Sequence, residues 1–387
     1  KLRIIGRAGV GVDNVDVKAA TQKGVLVVNS PGGNTIAAAE HTIAMMLALS
    51  RNIPIANSST FMGKWERKKF VGNELFKKKL GVVGLGKIGT HVAKVANALG
   101  MDVYGYDPFV SSERAQQLQV KLSELKTLFA ESDYVTLHLP RTSETENLVD
   151  MKVLKSMKNN AKLINCARGG IIDEEALAEA LNKSLIGGAA IDVFSEEPLD
   201  SNSPLLKVEK NLILTPHLGA STREAQENVA VDVAEQIRDV LLGLSARTAV
   251  NIPGLSPDIM DSLKPHLQLA ETMGLLISQL SGGQIQKLEV RLQGEFVQHP
   301  SQPLIIASLK GLLSKALGDR INYVNASLEA ESRGISLVES KDEARPEFAS
   351  GSLQLTTHGD NGEHSVAGSI FADGELRIIS IDQYPVN

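Results

Sequence analysis

Apolar positions along this chain follow two rhythms. Across residues 79–215, short apolar runs at 80–84, 103–107, 134–139, 162–165, 189–193 and 212–214 alternate with stretches such as 88–99 and 174–182, where apolar positions recur every three to four residues. Runs that are apolar at consecutive positions read as strands buried on both faces, and the intervening helices supply the crossovers. Right-handed crossovers then build a doubly wound parallel α/β sheet. Helix ends carry their own signals. Asp173 stands at an N-cap position, with Glu174 and Glu175 in the first turn, where negative charge meets the helix dipole. Ser221-Thr222-Arg223-Glu224 reads as a capping box opening a long helix with the buried stripe Ala225, Val229, Val233, Ile237 and Leu241, stopped by Gly243. A second long helix, rich in Ala and Met, is predicted over 35–51.

After Asn251-Ile252-Pro253-Gly254 the rhythm changes. Leu288, Val290 and Leu292 alternate as a strand, and 303–317 reads as a helix. Runs at 352–356, 365–371 and 377–381 read as antiparallel strands joined by turns such as His358-Gly359-Asp360-Asn361-Gly362. This region is α+β. At its other end the chain opens on Lys1 without Met, inside what reads as a buried strand (Leu2, Ile4, Ile5), so neighbours upstream are expected.

Composition narrows the functions open to such a fold. With 43% hydrophobic and 22% charged residues over 387 positions, the chain is of ordinary globular type. Forty Lys and Arg against forty-five Asp and Glu leave a net charge of -5, so no nucleic-acid partner is expected. The longest apolar stretch, 36–49, is broken by Glu40 and His41 and is too short to cross a bilayer, so no membrane partner is expected either. The single cysteine, Cys166, excludes an internal disulfide and suits a reducing, cytoplasmic setting. Eight scattered histidines without an HExxH give no reason to expect a metal.

Gly84-Leu85-Gly86-Lys87-Ile88-Gly89 directly follows one predicted strand and opens a helix, the context in which a GxGxxG cradles a dinucleotide. Gly84 permits the tight turn, Gly86 lets a pyrophosphate approach the backbone, and Gly89 lets helix and strand pack closely. The exposed N–H groups and the helix dipole attract the phosphates. Asp107 closes the second strand eighteen residues after Gly89. A carboxylate there accepts from both ribose hydroxyls and repels a 2′-phosphate, which predicts NAD over NADP.

Three further polar residues follow predicted strands, at the sheet edge where open α/β folds bind ligands. Arg168 comes after Asn165-Cys166-Ala167, Glu197 after Ser195-Glu196, and His217 after Thr215-Pro216. Singly, each has a bland reading: a helix cap, a solvated loop charge, a strand-end histidine. Together they supply what oxidation of a secondary alcohol needs. Histidine titrates in the range a base requires, a carboxylate orients its ring, and a guanidinium grips a substrate carboxylate in bidentate fashion.

These residues resemble the D-isomer-specific 2-hydroxyacid dehydrogenases. The resemblance rests on Gly6-Arg7-Ala8-Gly9-Val10-Gly11-Val12-Asp13-Asn14, Trp65-Glu66-Arg67, the glycine motif, Asn165-Cys166-Ala167-Arg168-Gly169-Gly170, Asp192-Val193-Phe194-Ser195-Glu196-Glu197-Pro198 and Pro216-His217-Leu218-Gly219-Ala220-Ser221-Thr222. The region after 253, with Val324-Asn325-Ala326 and Ala367-Gly368-Ser369, is similar to the intervening domain of a long branch of that family. The resemblance implies a Rossmann-like NAD-binding domain over 31–220. It implies a split, truncated flavodoxin-like substrate domain with its tail at 1–30 and its return helix at 221–252, and an α+β intervening domain over 253–387, where an allosteric effector or substrate-analogue site is the family expectation. It assigns Arg168, Glu197 and His217 to catalysis. Besides Gly84, Gly86 and Gly89, it assigns Lys87, Ile88, Asp107, Pro140, Cys166, Ala167, Arg168, Asp192, His217, Gly219 and Ala220 to the cofactor. Arg7, Ala8, Gly9, Asn34, Arg67, Arg168 and His217 fall to the substrate. The implied reaction is oxidation of 3-phospho-D-glycerate to 3-phosphohydroxypyruvate with NAD, the first step of L-serine biosynthesis, in a homodimer or homotetramer whose contact includes the 35–51 helix. Two other readings stay open: an enzyme for an unphosphorylated D-2-hydroxy acid of the glyoxylate or D-lactate type, and a non-enzymatic NAD-sensing protein.

Overall fold

Parallel strands need long crossovers, and the first part of the chain begins with one. β1 (Ile4–Arg7) and β2 (Leu26–Asn29) pair in parallel through α1 (Val17–Gln22), which starts where Asp16 accepts from the Ala19 amide at 2.8 Å. The computed structural model describes residues 2–252, 257–344, 350–371 and 374–386, with the side chains of 257–261 left aside, and it divides into two compact units. The change of rhythm expected at Pro253-Gly254 falls outside the described residues.

One unit is Gly32–Val229. It opens with α2 (Thr35–Ser50) and α3 (Ile53–Phe61). Then come β3 (Lys79–Val83), α4 (Lys87–Ala98), β4 (Asp102–Tyr106), α5 (Ser112–Gln117), β5 (Lys121–Leu122), α6 (Leu125–Glu131), β6 (Tyr134–Leu137), α7 (Met151–Ser156), β7 (Lys162–Asn165), α8 (Glu174–Asn182), β8 (Gly188–Ile191) and β9 (Leu212–Leu214). The strands form one parallel sheet in the order β5-β4-β3-β6-β7-β8-β9. The chain lays strands to one side of β3, then to the other, so the crevice beyond β3 and β6 is the switch point of a Rossmann-like sheet. Every residue of β6, β7 and β8 is buried, as two covered faces require. Alternate residues serve opposite cores: Leu80, Val82 and Ile164 pack with Met45, Met46 and Val92, whereas Val83, Leu163 and Ile191 pack with Phe129, Leu154 and Leu177. Each such side chain contributes roughly 1.5–3 kcal/mol by leaving water.

α9 (Arg223–Leu241) runs from this unit into the other. Its cap differs from the expected capping box. Thr222, one residue later than Ser221, accepts from the Ala225 amide at 3.1 Å. Glu224 is then one position too early to reach back. Ala225, Val229 and Val233 are buried as expected, but Leu241 is exposed because the helix ends there. Gly243, at φ 84°, closes a Schellman turn in which the Leu244 amide donates to Asp239 O at 2.9 Å.

The other unit joins Lys1–Pro31 to Ala230–Asn387. After α9 it holds α10 (Pro257–Ser281), β10 (Ile285–Gly294), α11 (Ser301–Leu317), α12 (Ala326–Ser332), β11 (Ser336–Asp342), β12 (Gly351–Gly359), β13 (Gly362–Ile370), β14 (Leu376–Ile381) and β15 (Tyr384–Pro385). The sheet order is β11-β10-β12-β13-β14-β15, and only the β11–β10 pairing is parallel. α10 and α11 cover one face through Leu269, Met273, Ile277, Leu304 and Leu309 against Leu288, Val290, Leu353 and Leu355. The unit bounds depart from the sequence-based ones in two ways. The first turns of α9 group with the large parallel sheet. The region after 253 groups with the N-terminal segment, where Asn322 Nδ2 donates to Gly24 O at 2.8 Å and α12 packs on α1. α10 was missed because it follows a Pro/Gly cluster and carries Pro265 inside. β11 was missed because nearly all its positions are exposed.

Candidate active site

The three glycines of the 84–89 turn meet three different surroundings. Gly84 has φ 95°, and a Cβ there would meet His138 O at 2.4 Å. At Gly89 a Cβ would come within 2.0 Å of Gly84 O. At Gly86 it would meet nothing within 4 Å, so the backbone is open on that side. α4 starts at Lys87 with Gly86 as its N-cap and no side chain capping it. That combination, an open face at a helix N-terminus whose leading amides lack a side-chain acceptor, fits a dinucleotide pyrophosphate. Lys87 is exposed and Ile88 half-buried at this end. Asp107 follows β4, and its Oδ2 accepts from the Leu85 amide at 2.8 Å, while Oδ1 accepts from Phe109 N at 2.9 Å. The carboxylate is thereby fixed beside the turn. Pro140 is exposed after β6, where its carbonyl accepts from Thr145 Oγ1 at 2.7 Å.

Arg168, Glu197 and His217 leave the ends of β7, β8 and β9, three neighbouring strands. Main-chain bonds continue past the strand ends and stitch these loops together. Asp192 N donates to Asn165 O at 2.9 Å, and His217 N donates to Asp192 O at 2.9 Å. Asn165, 1% exposed, shapes the Arg168 loop by donating to Arg168 O and accepting from Ala167 N. Gly169 lets this loop lie on the next one, since a Cβ there would overlap Phe194 O at 1.7 Å. The Arg168 guanidinium donates to Ala167 O at 2.7 Å. His217 holds a left-handed backbone, φ 54°, which costs on the order of 1 kcal/mol or more and is imposed by its two main-chain bonds, to Asp192 O and Thr215 O.

The His217 ring and Glu197 meet directly. Nδ1 lies 2.7 Å from Glu197 Oε2, and Glu197 Oε1 accepts from the Phe194 amide at 3.0 Å. With a carboxylate at Nδ1, the ring proton is assigned to that nitrogen, and Nε2 is left to act as acceptor. Both side chains are partly exposed, His217 at 48% and Glu197 at 36%, so a solute can reach them. Glu196 is exposed and takes no part in this pair.

Behind them is Asp192, fully buried. Burial alone would raise its pKa. Hydrogen bonds from His41, Thr215 and the Leu218 amide outweigh that and hold it below the usual carboxylate range. Its Oδ1 accepts from Thr215 Oγ1 and Leu218 N, and Oδ2 accepts from Gly219 N at 2.8 Å, which fixes the 217–220 loop and orients Gly219 and Ala220. Burial and the nearby Asp192 push the Cys166 thiol up to about 12, so on its own it stays protonated beside Ala167. His41 went unnoticed in the sequence: it lies mid-helix in α2, and nothing local to it points at Asp192, 3.2 Å from its Nε2.

Arg7, in the unit with the N-terminal strands, folds back over Gly9, its guanidinium donating to Ala8 O and, at 3.2 Å, to Asn14 Oδ1. Asn34, in the other unit, stands before α2 with its Oδ1 buried and without a hydrogen-bond partner among the described residues. Arg67 begins an exposed 3₁₀ turn, Arg67–Phe70. The structure brings Arg168, Glu197 and His217 to one sheet edge, and Arg67 is not joined to them by any described bond.

Comparison with known proteins gives the same outline. Residues 43–219 match the family described as D-isomer specific 2-hydroxyacid dehydrogenase, NAD binding domain, and residues 262–382 match the D-3-phosphoglycerate dehydrogenase intervening domain. A D-3-phosphoglycerate dehydrogenase of Synechocystis is 60% identical over the whole of this chain and 70% of its own length. One from Archaeoglobus fulgidus is 48% identical, over the whole chain and 73% of its own. Among solved structures, D-lactate dehydrogenase from Aquifex aeolicus, complexed with NAD and lactic acid, superposes with a TM-score of 0.57 at 29% identity, covering 62% of this chain and 77% of that one.

Proposed function

The chain belongs to the D-isomer-specific 2-hydroxyacid dehydrogenases, in the branch of D-3-phosphoglycerate dehydrogenases with an intervening domain, and from that premise we propose the reaction and the residues that carry it. It is an NAD-dependent oxidoreductase. Its substrate is 3-phospho-D-glycerate, oxidised at C2 to 3-phosphohydroxypyruvate at the start of L-serine synthesis in the cytoplasm. The observation that carries this reading is the 2.7 Å His217–Glu197 pair on the rim of a sheet whose glycine turn is open at Gly86.

Gly84, Gly86, Lys87, Ile88 and Gly89 hold the pyrophosphate of NAD on the α4 N-terminus, and Asp107 takes the ribose hydroxyls. NAD held there would supply the hydride acceptor for C2. The C2 hydroxyl proton passes to His217 Nε2, whose opposite nitrogen keeps its proton on Glu197. Glu197 stabilises the imidazolium that forms and is itself steadied by the Phe194 amide. Arg168 offers its guanidinium to the substrate carboxylate and polarises the reacting oxygen. Arg7, Ala8, Gly9, Asn34 and Arg67 are the further substrate contacts in this reading. Residues 1–30 and 221–252 are its split substrate domain, and 253–387 an effector-responsive domain.

A second copy completes the molecule. Phe61, Met62, Trp65 and Val71 are 64–86% exposed, an apolar load that single surface side chains rarely carry. In this reading a homodimer covers them. Light scattering that gives one chain per particle would refute it.

The reaction is tested in the full-length enzyme. With NAD, 3-phosphoglycerate should be oxidised far faster than D-lactate or glycolate, and His217→Gln should lower kcat by about 10²–10⁴ while NADH still binds. Equal rates on the unphosphorylated acids would replace this substrate with the D-lactate type, and an undiminished variant would remove His217 from its role.

A further inference from the structure

Three donor side chains outside the His217–Glu197 pair meet under the ends of β7 and β8. His41 of α2, Cys166 after β7 and Asp192 after β8 each offer one ligand atom, and these atoms all lie within 4.8 Å of one another. α2 lies across β7, β8 and β9, which is what brings His41 over the two strand ends. Cys166 and Asp192 are buried, while the His41 side chain is 19% exposed, so solvent reaches the cluster at His41.

We propose that His41 Nε2, Cys166 Sγ and an Asp192 carboxylate oxygen bind a borderline-soft divalent cation of the zinc class. The donor set is one imidazole, one thiolate and one carboxylate, the mixture such ions select over calcium or magnesium. Geometry supports it. With metal–ligand bonds of about 2.0–2.1 Å, two tetrahedral N and O ligands stand about 3.3 Å apart. His41 Nε2 and Asp192 Oδ1 already stand at 3.2 Å, so the ion replaces the proton between them without moving either. A thiolate at about 2.3 Å from the metal lies about 3.5 Å from its co-ligands, so Cys166 moves in by little more than about 1 Å. A water takes the fourth position, and Thr215 Oγ1 keeps its 2.5 Å hydrogen bond to the carboxylate.

Charge also balances. The two positive charges of the ion meet one thiolate and one carboxylate, with His41 neutral, so the buried site carries no net charge. Without an ion, a Cys166 thiolate would be a second buried anion beside Asp192, and burial and that neighbour disfavour it. On binding, the thiol proton leaves to solvent and the single proton of neutral His41 shifts from Nε2 to Nδ1. No electrons move. A consequence rests on the function proposed above. Asp192 fixes the Leu218 and Gly219 amides, and with Cys166 it is a cofactor-side position, so the ion and NAD exclude one another.

Cobalt(II) serves as the probe, titrated into the enzyme under a phosphine reductant. The expected result is one equivalent per chain, with tetrahedral bands in the visible, a thiolate-to-cobalt band in the near ultraviolet, and displacement by zinc. Cys166→Ser should abolish the thiolate band, and His41→Gln should weaken binding about tenfold or more. Circular dichroism verifies that each variant is folded, and if Cys166→Ser is not, the His41→Gln titration decides. A spectrum without the thiolate band, a band that survives in Cys166→Ser, or unchanged affinity in His41→Gln overturns the site. NADH titrated with zinc present is the second arm. If NADH binds equally well while cobalt still shows the thiolate band, the metal site stands and the cofactor role of Cys166 and Asp192 falls.

Discussion

Replacing Gly86 by valine and Gly89 by alanine should separate binding from folding within a single turn. At Gly86 the backbone is extended (φ -65°, ψ -165°), a conformation any residue adopts, and a Cβ has no neighbour within 4 Å. The substitution should therefore change stability by no more than about 0.5 kcal/mol. The open volume is where a pyrophosphate would lie, and valine fills it. Losing two hydrogen bonds to a charged phosphate, at about 1.5–3 kcal/mol each, removes about 3–6 kcal/mol and raises the NADH dissociation constant by roughly 10²–10⁴. Gly89→Ala acts on the fold instead. Its Cβ would stand 2.0 Å from Gly84 O, against a tolerable C···O separation of about 3.3 Å, so helix and turn must part by more than about 1 Å. Overpacking of that kind costs about 1–3 kcal/mol, and in a domain of this size each kcal/mol lowers Tm by about 2–4 °C. Thermal unfolding and NADH fluorescence titration read the two effects separately. A Gly86→Val protein that binds NADH within threefold of the parent, or melts as low as Gly89→Ala, would overturn these roles for the two glycines.

Two further outcomes follow from single side chains. Asp107→Ala should lower the NAD-over-NADP ratio of kcat/KM by about 10–100-fold, the worth of one hydrogen bond to a charged group, and an unchanged ratio would show the carboxylate only braces the Leu85 amide. His138, half-buried next to Gly84, has its pKa pushed by burial down to about 4 from 6.5. Between these values the unfolded chain binds a proton that the folded one refuses, so this contribution is complete above about pH 6.5 and is lost as pH falls toward 4. His138→Gln should make denaturant unfolding less acid-sensitive across that window, by up to a few kcal/mol, and identical acid profiles would sink the assignment.

How much could be read from the sequence depended on how far apart along the chain the cooperating atoms were. The glycine turn was legible because strand, turn and helix are consecutive, and the surroundings of Gly84, Gly86 and Gly89 differ in the sense their spacing suggested. The parallel sheet was legible because both faces are covered, which leaves consecutive apolar runs in β6, β7 and β8. Signals failed where one residue decides. Thr222 rather than Ser221 caps α9, since both hydroxyls suit a cap and only the entry angle of the chain chooses. Leu241 kept the period of the stripe yet is 49% exposed, because Gly243 ends the helix before the face it would have covered. α10 was hidden by Pro265, which a helix interior tolerates here only with packing from α11 that no local pattern announces.

Position after a strand explains why Arg168, Glu197 and His217 stood out while His41 did not. Each of the three lies in the loop that follows a strand, and in a parallel sheet all such loops leave the same edge, so that position alone brings polar residues together. His41 ends nothing. It meets Asp192 and Cys166 only because β7, β8 and β9 are sheet neighbours and α2 crosses that side, a relation fixed by the order of strands. Asp192 shows how tightly that relation is held. Its carboxylate ties α2 through His41, β9 through Thr215 and the His217 loop through two amides. A change of register in β8 of one residue would turn Asp192 to the opposite face and leave all four partners without it. The position of the His217 ring is thus set by strand order and register as much as by the residues that touch it.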